Sequence, residues 1–310
     1  EEMPFNRATR GWVYRLAKNE GGILGFGSTY NIHEAGALIF VNAPFPVLEE
    51  EREPTPPLII GDGHCDKPFA GRSLINVSGM SYGAISKPAV QALSRGAAKA
   101  GCWMDTGEGG LSPYHLEGGC DLIFQIGTAK YGVRDDQGRL SPEKLREVAA
   151  HDTVRAFEIK LSQGAKPGKG GVLPAGKVTE EIARIRGIPL GQDSLSPNRH
   201  RDISNMIELL DMVERVRDIT GKPVGIKTAI GGWQFMNELA EEVNRRGLHV
   251  APDFLAIDGG EGGSGAAPQA LADHMALSID EALPRVVDSL IESGLRQRVR
   301  LIAAGKLLTP

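Results

Sequence analysis

From about residue 74 onwards, short apolar runs alternate with segments that have helical periodicity. The apolar runs are three to six residues long and lack a regular apolar–polar alternation, which is typical of strands buried on both faces. This order predicts a parallel sheet covered by helices. We predict seven strands, at residues 74–78, 102–104, 122–126, 156–161, 223–227, 254–257 and 300–304.

Helix-end signals lie between these strands. In the first intervening segment Ser86 is a good N-cap, Pro88 follows in the first turn, and Gly101 ends the helix. Further helices are predicted from about 204 to 219, 234 to 246 and 278 to 292.

The N-terminal part of the chain has a different character. It contains one short helical pattern, at residues 9–18, and a connector rich in Pro and Glu at residues 44–57. We therefore predict an N-terminal extension, residues 1–57, packed on a main domain of residues 58–310.

Glycine-rich and polar residues follow nearly every predicted strand. An open doubly wound sheet would concentrate such residues at its switch point, whereas an α/β barrel builds its active site from all the loops after its strands. The pattern thus favours a (β/α)8 TIM barrel. Because the barrel needs eight strands, we expect the last strand and helix to lie beyond Pro310, and the chain to be a fragment.

Composition narrows the range of functions. The chain is 41% hydrophobic and has a formal net charge of -4 without a basic stripe, so we expect no nucleic-acid partner. No apolar run reaches 18 residues, so this stretch predicts no membrane span. The three cysteines form no CxxC pair, which indicates a reducing, cytoplasmic compartment. No H-E-x-x-H or similar spacing occurs, and we expect no metal site.

The most glycine-rich loop follows the sixth predicted strand. There Asp258 is followed by five glycines within seven residues, Gly259 to Gly265. Such loops bring backbone N–H groups close to a ligand, most often a phosphate, although a merely mobile loop is the simpler alternative. The spacing also matches the dinucleotide fingerprint, but that fingerprint belongs after a first strand, so we reject it.

Charged residues stand at several strand ends. Lys227 could stabilise the pyrimidine edge of a flavin, or it could pair with Asp258 or extend to solvent, and Lys160 has the same ambiguity. Asp105, Glu108 and Asp258 are carboxylates at strand ends, and they could be acid–base groups, ligand anchors or partners of the lysines. Residues Lys166, Arg199 and His200, in long loops, could bind an anionic substrate or simply be solvated.

A hydrolase is a minor alternative. Gly79 to Gly83 matches the G-x-S-x-G nucleophile elbow between a strand and a helix, which would make Ser81 the nucleophile. The candidate bases His249 and His274 do not clearly follow a strand. A turn whose backbone lies against a flat ligand explains the same residues.

Five stretches taken together resemble the FMN-binding synthase domain of glutamate synthase, over roughly residues 58–310. In order, they are residues 80–86, 106–110, 163–171, 226–227 and 258–268. Residues 4–7 and 26–28 are similar to stand-alone members of that family, which lack the amidotransferase domain.

This resemblance implies a barrel with FMN at the carboxyl ends of its strands, reducing 2-iminoglutarate that forms from 2-oxoglutarate and ammonia. It implies an electron donor such as ferredoxin or a reductase subunit, and a homo-oligomer is possible. Residues implied to be catalytic are Lys227, Glu108 and Gln163, and those implied to bind substrate are Glu108, Lys166 and His200. The implied FMN-binding residues are Ser78, Gly79, Met80, Ser81, Asp105, Thr106, Gln125, Lys227, Asp258, Gly259, Gly260, Gly305 and Lys306.

The chain departs from the family in three respects, one of which is that it has no N-terminal nucleophilic Cys and so is not expected to release ammonia from glutamine itself. Asp105 stands where the family usually has Asn, which adds a charge near the expected flavin. Cys65, Cys102 and Cys120 lack the spacing of the family's iron–sulfur ligands, so a cluster is expected only in a part of the protein beyond this chain. A flavin-binding barrel without catalytic activity, or with a different substrate, is the alternative.

Overall fold

The computed structural model describes residues 5–22, 25, 27–28 and 41–307. The chain divides into two compact units, Pro54–Gly305 and a smaller one formed by Glu1–Glu53 with Lys306–Pro310. In the smaller unit, α1 (Arg7–Ala17) matches the helix predicted at residues 9–18. The packing of residues 1–57 on the main domain stays a prediction.

The secondary structure of the larger unit alternates between strands and helices. Its described strands are β1 (Leu58–Ile60), β2 (Phe69–Gly71), β3 (Met104–Asp105), β4 (Leu122–Ile126), β5 (Val154–Lys160), β6 (Val172–Leu173), β7 (Ser194–Leu195), β8 (Val224–Thr228), β9 (Phe254–Asp258) and β10 (Arg300–Ala304). Its described helices are α2 (Lys87–Ala100), α3 (Pro113–Leu116), α4 (Pro142–Ala149), α5 (Glu180–Arg186), α6 (Met206–Thr220), α7 (Gln234–Arg246), α8 (Gln269–His274) and α9 (Ile279–Glu292).

Six strands form one parallel sheet in the order β10-β9-β8-β5-β4-β3. The sheet curls as part of a barrel, which confirms the predicted α/β barrel class. Every residue of β4, β8 and β9 is buried, because helices cover one face and the barrel interior lies on the other. This burial on both faces is the reason why the strands read as continuous apolar runs. The expected eighth strand beyond Pro310 stays a prediction.

The first predicted strand, residues 74–78, is wrong. Only Val77 joins the sheet, through a single parallel bridge to Met104. Just before it, the Ser73 hydroxyl accepts a hydrogen bond from the N–H of Ile75 at 3.1 Å and donates one to the carbonyl oxygen of the same residue at 2.6 Å. This local turn competes with strand pairing, and it leaves Leu74 and Ile75 exposed despite their strand propensity.

The other predicted elements agree within about two residues. Ser86 caps α2 by accepting a hydrogen bond from the N–H of Ala89, and Gly101 ends the helix in the left-handed conformation. The long stretch between β5 and α6 contains the antiparallel pair β6–β7 and helix α5. None of the described helices is both long and apolar enough to cross a membrane.

Parallel pairing places the carboxyl ends of the strands at one edge. Lys160 on β5 pairs in register with Lys227 on β8, and Asp258 on β9 pairs with Ala304 on β10. Asp105 ends β3 at the same edge. The charged residues predicted at strand ends are therefore neighbours in the fold.

Candidate active site

Five polar side chains form a buried cluster at the carboxyl ends of the strands. The Lys227 ammonium lies 3.7 Å from Oδ2 of Asp258. The Gln125 amide nitrogen donates to Oε1 of Glu158 at 2.7 Å and to Oδ2 of Asp105 at 3.4 Å. All five are almost inaccessible to solvent. Lys227 therefore pairs with Asp258, one of the arrangements that the sequence left open, and does not extend to solvent.

Burial and mutual charge set the protonation of this cluster. Burial lowers the pKa of Lys227, but the carboxylates of Asp258, Glu158 and Asp105 outweigh it, and the net shift is upward. Burial, followed by the charge of Asp105, raises the pKa of Glu158 to about 8. At neutral pH the lysine is therefore charged and Glu158 is protonated.

A second group of polar residues lines a small cavity beside the cluster, between the loops after β3, β4 and β5. The Lys160 ammonium donates to Oε1 of Gln163 at 3.0 Å and lies 3.6 Å from Oε1 of Glu108. The other polar residues of the lining are Thr128, Ser162, Lys166, Lys169 and Asn198. The structure thus places in one cavity three of the residues that the resemblance implies for catalysis or substrate binding: Glu108, Gln163 and Lys166.

Lys166 and His200 have different surroundings. Burial lowers the pKa of the Lys166 ammonium, while the nearby charge of Glu108 acts in the opposite direction. His200 donates from Nε2 to the carbonyl oxygen of Lys160 at 2.9 Å, and its buried Nδ1 has no partner among the described residues. Burial, followed by the charge of Lys130, lowers the pKa of His200 to about 4, so the ring is neutral. His200 supports the end of β5 and is not part of the cavity lining.

The segment 78–81 lies against the buried cluster. The N–H of Met80 donates to the carbonyl oxygen of Asp105 at 3.2 Å. A Cβ at Gly79 would lie 3.1 Å from Oδ1 of Asp105 and 3.2 Å from the Gln125 amide nitrogen. Ser78 at the start of this segment is exposed, so a flat ligand can reach the backbone here.

Thr106 serves the framework of the site. Its hydroxyl accepts from the N–H of Gln125 at 3.1 Å and donates to the carbonyl oxygen of Gly107. This fixes the spacing between the ends of β3 and β4.

Ser81 does not have the partners of a hydrolytic nucleophile. In the described part of the chain no histidine hydrogen-bonds to it: the ring nitrogens of nearby His115 contact the Met80 carbonyl oxygen and the Ser112 hydroxyl. His249, one of the two candidate bases, lies 3.9 Å from Glu214. A Ser–His pair is therefore not formed within the described residues.

The first two N–H groups of the glycine loop after β9 donate hydrogen bonds to backbone carbonyl oxygens of this chain. The N–H of Gly259 donates to the Ala304 carbonyl oxygen at 2.9 Å, and that of Gly260 donates to the Leu277 carbonyl oxygen at 2.8 Å. A Cβ at Gly260 would lie 2.8 Å from the Ala276 carbonyl oxygen, so close backbone packing requires glycine here. The following amides make no hydrogen bond to the described residues: Glu261, Gly263, Ser264 and Gly265.

Two further residues that the resemblance implies to bind FMN, Gly305 and Lys306, follow β10 in the sequence. Gly305 follows the strand directly, and a Cβ there would lie 2.9 Å from the Gly259 nitrogen. Lys306 belongs to the smaller unit, where its ammonium lies 5.6 Å from the centroid of the Phe5 ring.

Glu158 is the site residue that sequence reasoning missed. It stands in the middle of an otherwise apolar run on β5, two residues before Lys160, so both side chains point to the same face. A carboxylate within a strand buried on both faces is unusual without a partner. That mismatch was the available signal.

The donor set fits FMN. A flavin needs a cation at its pyrimidine edge, amide groups around its ring and N–H donors for its phosphate. Lys227 supplies the cation and Gln125 supplies an amide group. The N–H donors for the phosphate come from the backbone amides of Glu261 and Gly263–Gly265, which have no partner among the described residues.

Comparison with known proteins identifies related sequences. The family described as a conserved region in glutamate synthase matches residues 39–310. The glutamate synthase large subunit-like protein YerD of Bacillus subtilis (strain 168) is 40% identical over 349 residues, covering 100% of this chain and 66% of YerD. The archaeal glutamate synthase (NADPH) of Methanocaldococcus jannaschii is 37% identical, covering 74% of this chain and 42% of that protein. Among solved structures, endonuclease IV from Thermus thermophilus matches at 18% identity with a TM-score of 0.34, covering 75% of this chain and 93% of that one, a similarity too low to support an argument.

Proposed function

The chain belongs to the glutamate synthase family, and on that basis we propose that it is an FMN-dependent oxidoreductase. The proposed reaction reduces an imine, such as 2-iminoglutarate formed from 2-oxoglutarate and ammonia, to the amino acid. One observation carries the proposal. A buried lysine–carboxylate cluster and a lysine-rich cavity meet at the strand ends, through the paired residues Lys227 and Lys160.

The buried cluster is the proposed flavin site. When bound, reduced FMN supplies the hydride. Lys227, kept charged by Asp258, stabilises negative charge at the pyrimidine edge. Gln125 and the backbone of residues 78–81 orient the ring, and the free amides after Gly260 bind the phosphate.

The cavity is the proposed substrate site. The Lys160 and Lys166 ammonium groups are suited to a substrate with carboxylates, because charge-assisted hydrogen bonds are strong where water is excluded. The carboxylate of Glu108 accepts hydrogen bonds from the imine nitrogen and so directs that end of the substrate. Gln163, already bonded to Lys160, keeps the lysine side chain in place.

Electrons reach the flavin, in this proposal, from ferredoxin or a reductase subunit. The name of the archaeal relative includes NADPH. Assays should therefore offer reduced ferredoxin and NADPH separately, each with and without a reductase.

A full-length preparation tests the proposal directly. We expect a yellow protein whose flavin spectrum is bleached by dithionite, and whose reduced flavin is reoxidised by 2-oxoglutarate plus ammonia. A colourless protein that does not take up added FMN would contradict the cofactor assignment. Bound flavin that is not reoxidised by any keto acid with an amine would instead support a barrel without this activity.

A charge-removing variant tests the role of Lys227. Lys227→Met keeps most of the side-chain length but removes the ammonium. We expect FMN affinity to fall about 10- to 100-fold, since a hydrogen bond to a charged group contributes about 1.5–3 kcal/mol. Lys227→Arg should retain most of the affinity. Lys99→Ala, an exposed position on α2, is the control. Equal affinities in all four proteins would make Lys227 purely structural.

A further inference from the structure

Two buried carboxyl groups contact the same amide. Asp105 ends β3, Glu158 lies on β5, and Gln125 projects from β4 between them. Each carboxyl is only 3% exposed, and both accept a hydrogen bond from the Gln125 amide nitrogen, Glu158 at 2.7 Å and Asp105 at 3.4 Å. Two carboxyl groups that share one amide donor in a buried site do not both ionise at neutral pH, so this pair retains one proton.

The partners of the two groups show which one carries that proton. Oδ1 of Asp105 accepts a hydrogen bond from the N–H of Gly107 at 2.6 Å, which favours its ionised form. Glu158 accepts only from Gln125 among the described residues, at 2.7 Å. Burial raises the pKa of both groups, and that of Glu158 to about 8. Glu158 is therefore the protonated partner of the pair.

Other charged groups face the pair from each neighbouring element. Lys227 from β8 and Lys160 from the end of β5 act on Asp105, and Asp105 in turn acts on His115 of α3. Asp258 from β9 and Glu108 from the loop after β3 act on Lys227. Lys160 and Glu108 lie 3.6 Å apart and offset one another. The charge of Lys227 offsets one of the two carboxylates of Asp105 and Asp258. The cluster therefore carries one net negative charge when Glu158 is protonated and two when it is not.

We propose that Glu158 is a positioning residue that shares one proton with Asp105 and thereby fixes the charge beside the flavin. This inference rests on the proposed function. The proton on Glu158 offsets the negative charge that the Asp105 carboxylate adds beside the ring. Loss of that proton in alkaline solution places a second net negative charge near the ring, which disfavours its reduction.

Infrared titration of the full-length protein tests the shared proton without any need for turnover. We expect a protonated-carboxyl band in the wild type that disappears as the pH rises through about 8. Glu158→Gln should lack the band. In Asp105→Asn the band should disappear at lower pH, because the charge that raises the pKa of Glu158 has been removed. Glu147→Gln, at an exposed position on α4, is the control and should titrate like the wild type.

Redox titration of the FMN-loaded protein tests the effect on the flavin. Below pH 7, wild type and Glu158→Gln should have similar flavin potentials, because a protonated Glu and a Gln are both neutral. Above pH 9, the affinity for reduced FMN divided by the affinity for oxidised FMN should be about tenfold lower in the wild type than in Glu158→Gln. For a two-electron couple this tenfold change corresponds to a difference of about 30 mV in flavin potential. Glu147→Gln should follow the wild type throughout.

The two titrations separate the possible failures. FMN uptake without a band assigned to Glu158 would overturn the shared proton and leave the proposed function standing. A normal carboxyl titration without FMN uptake would overturn the proposed function and the redox role with it. Equal potentials of wild type and Glu158→Gln above pH 9 would overturn the redox role alone.

Discussion

At the scale of single residues, His200 couples stability to pH. Its ring is neutral because burial and Lys130 lower its pKa to about 4, whereas an unfolded chain has a His pKa near 6.5. As the pH falls below 6.5, His200 is therefore protonated in the unfolded chain, whereas in the folded chain it stays neutral down to about pH 4. The free energy of unfolding should fall over this window, by up to about 3 kcal/mol.

Urea unfolding between pH 4 and 7 measures how steeply the free energy of unfolding changes with pH. His200→Gln keeps a donor for the Lys160 carbonyl oxygen but cannot titrate, so its stability should change less with pH than that of the wild type. His274→Gln, at an exposed position on α8, is the matched control and should keep the slope. If His200→Gln keeps it as well, His200 is not the group responsible.

Residue-level prediction from sequence succeeded where a residue's neighbours follow from the strand pattern. Lys227 and Asp258 each end a strand, so their meeting at one edge of a parallel sheet could be anticipated. The pairing of Asp105 with Glu158 could not, because it depends on β4 lying between β3 and β5 and on the reach of Gln125. The burial of Nδ1 of His200 away from any described partner likewise follows only from three-dimensional packing.

At the scale of elements, the loops after β5 and β9 interlock. The N–H of Gly164 donates to Oδ2 of Asp258 at 3.1 Å, and a Cβ at Gly164 would overlap the carbonyl oxygen of Gly259. Gly164→Ala should therefore force the two loops apart. We expect a loss of about 3 kcal/mol in unfolding free energy, at the upper end of overpacking costs, together with weaker FMN binding.

Denaturant unfolding and flavin titration of the same samples check this expectation. Gly176→Ala is the control, because a Cβ at Gly176 has no described neighbour within 4 Å. It should leave both quantities nearly unchanged. A Gly164→Ala protein as stable as this control would mean that the loops move apart freely.

The elements themselves were predictable where their signals are local. Ser86 and Gly101 bracket α2 in the sequence and also in the structure. The strand predicted at residues 74–78 failed because the Ser73 hydroxyl forms a turn with Ile75 instead. The short pair β6–β7 escaped prediction because two-residue strands carry no periodicity, and the two strands are separated by helix α5.

At the scale of the whole molecule, the two ends of the parallel sheet carry different chemistry. At the carboxyl ends lie the candidate ligand-binding residues, including Asp258 at the end of β9. Just before the start of the same strand lies Asp253, whose Oδ2 accepts from Nε of Arg217 at 3.1 Å and from the N–H of Val224 at 2.8 Å. Nη1 of Arg298 lies 2.9 Å from its other oxygen. In α/β barrels this amino-terminal end is where residues maintain stability while the opposite end carries function.

This division predicts that Asp253→Asn impairs stability but not flavin binding. The variant leaves the guanidinium groups of Arg217 and Arg298 buried without a carboxylate, so we expect a loss of roughly 3–5 kcal/mol in unfolding free energy. Asp121→Asn, at the solvent-exposed pair with Arg155, should cost about 1 kcal/mol or less. The folded fraction of Asp253→Asn should bind FMN with wild-type affinity. Equal stability of the two variants, or a selective loss of FMN affinity in Asp253→Asn, would contradict the separation of the two ends.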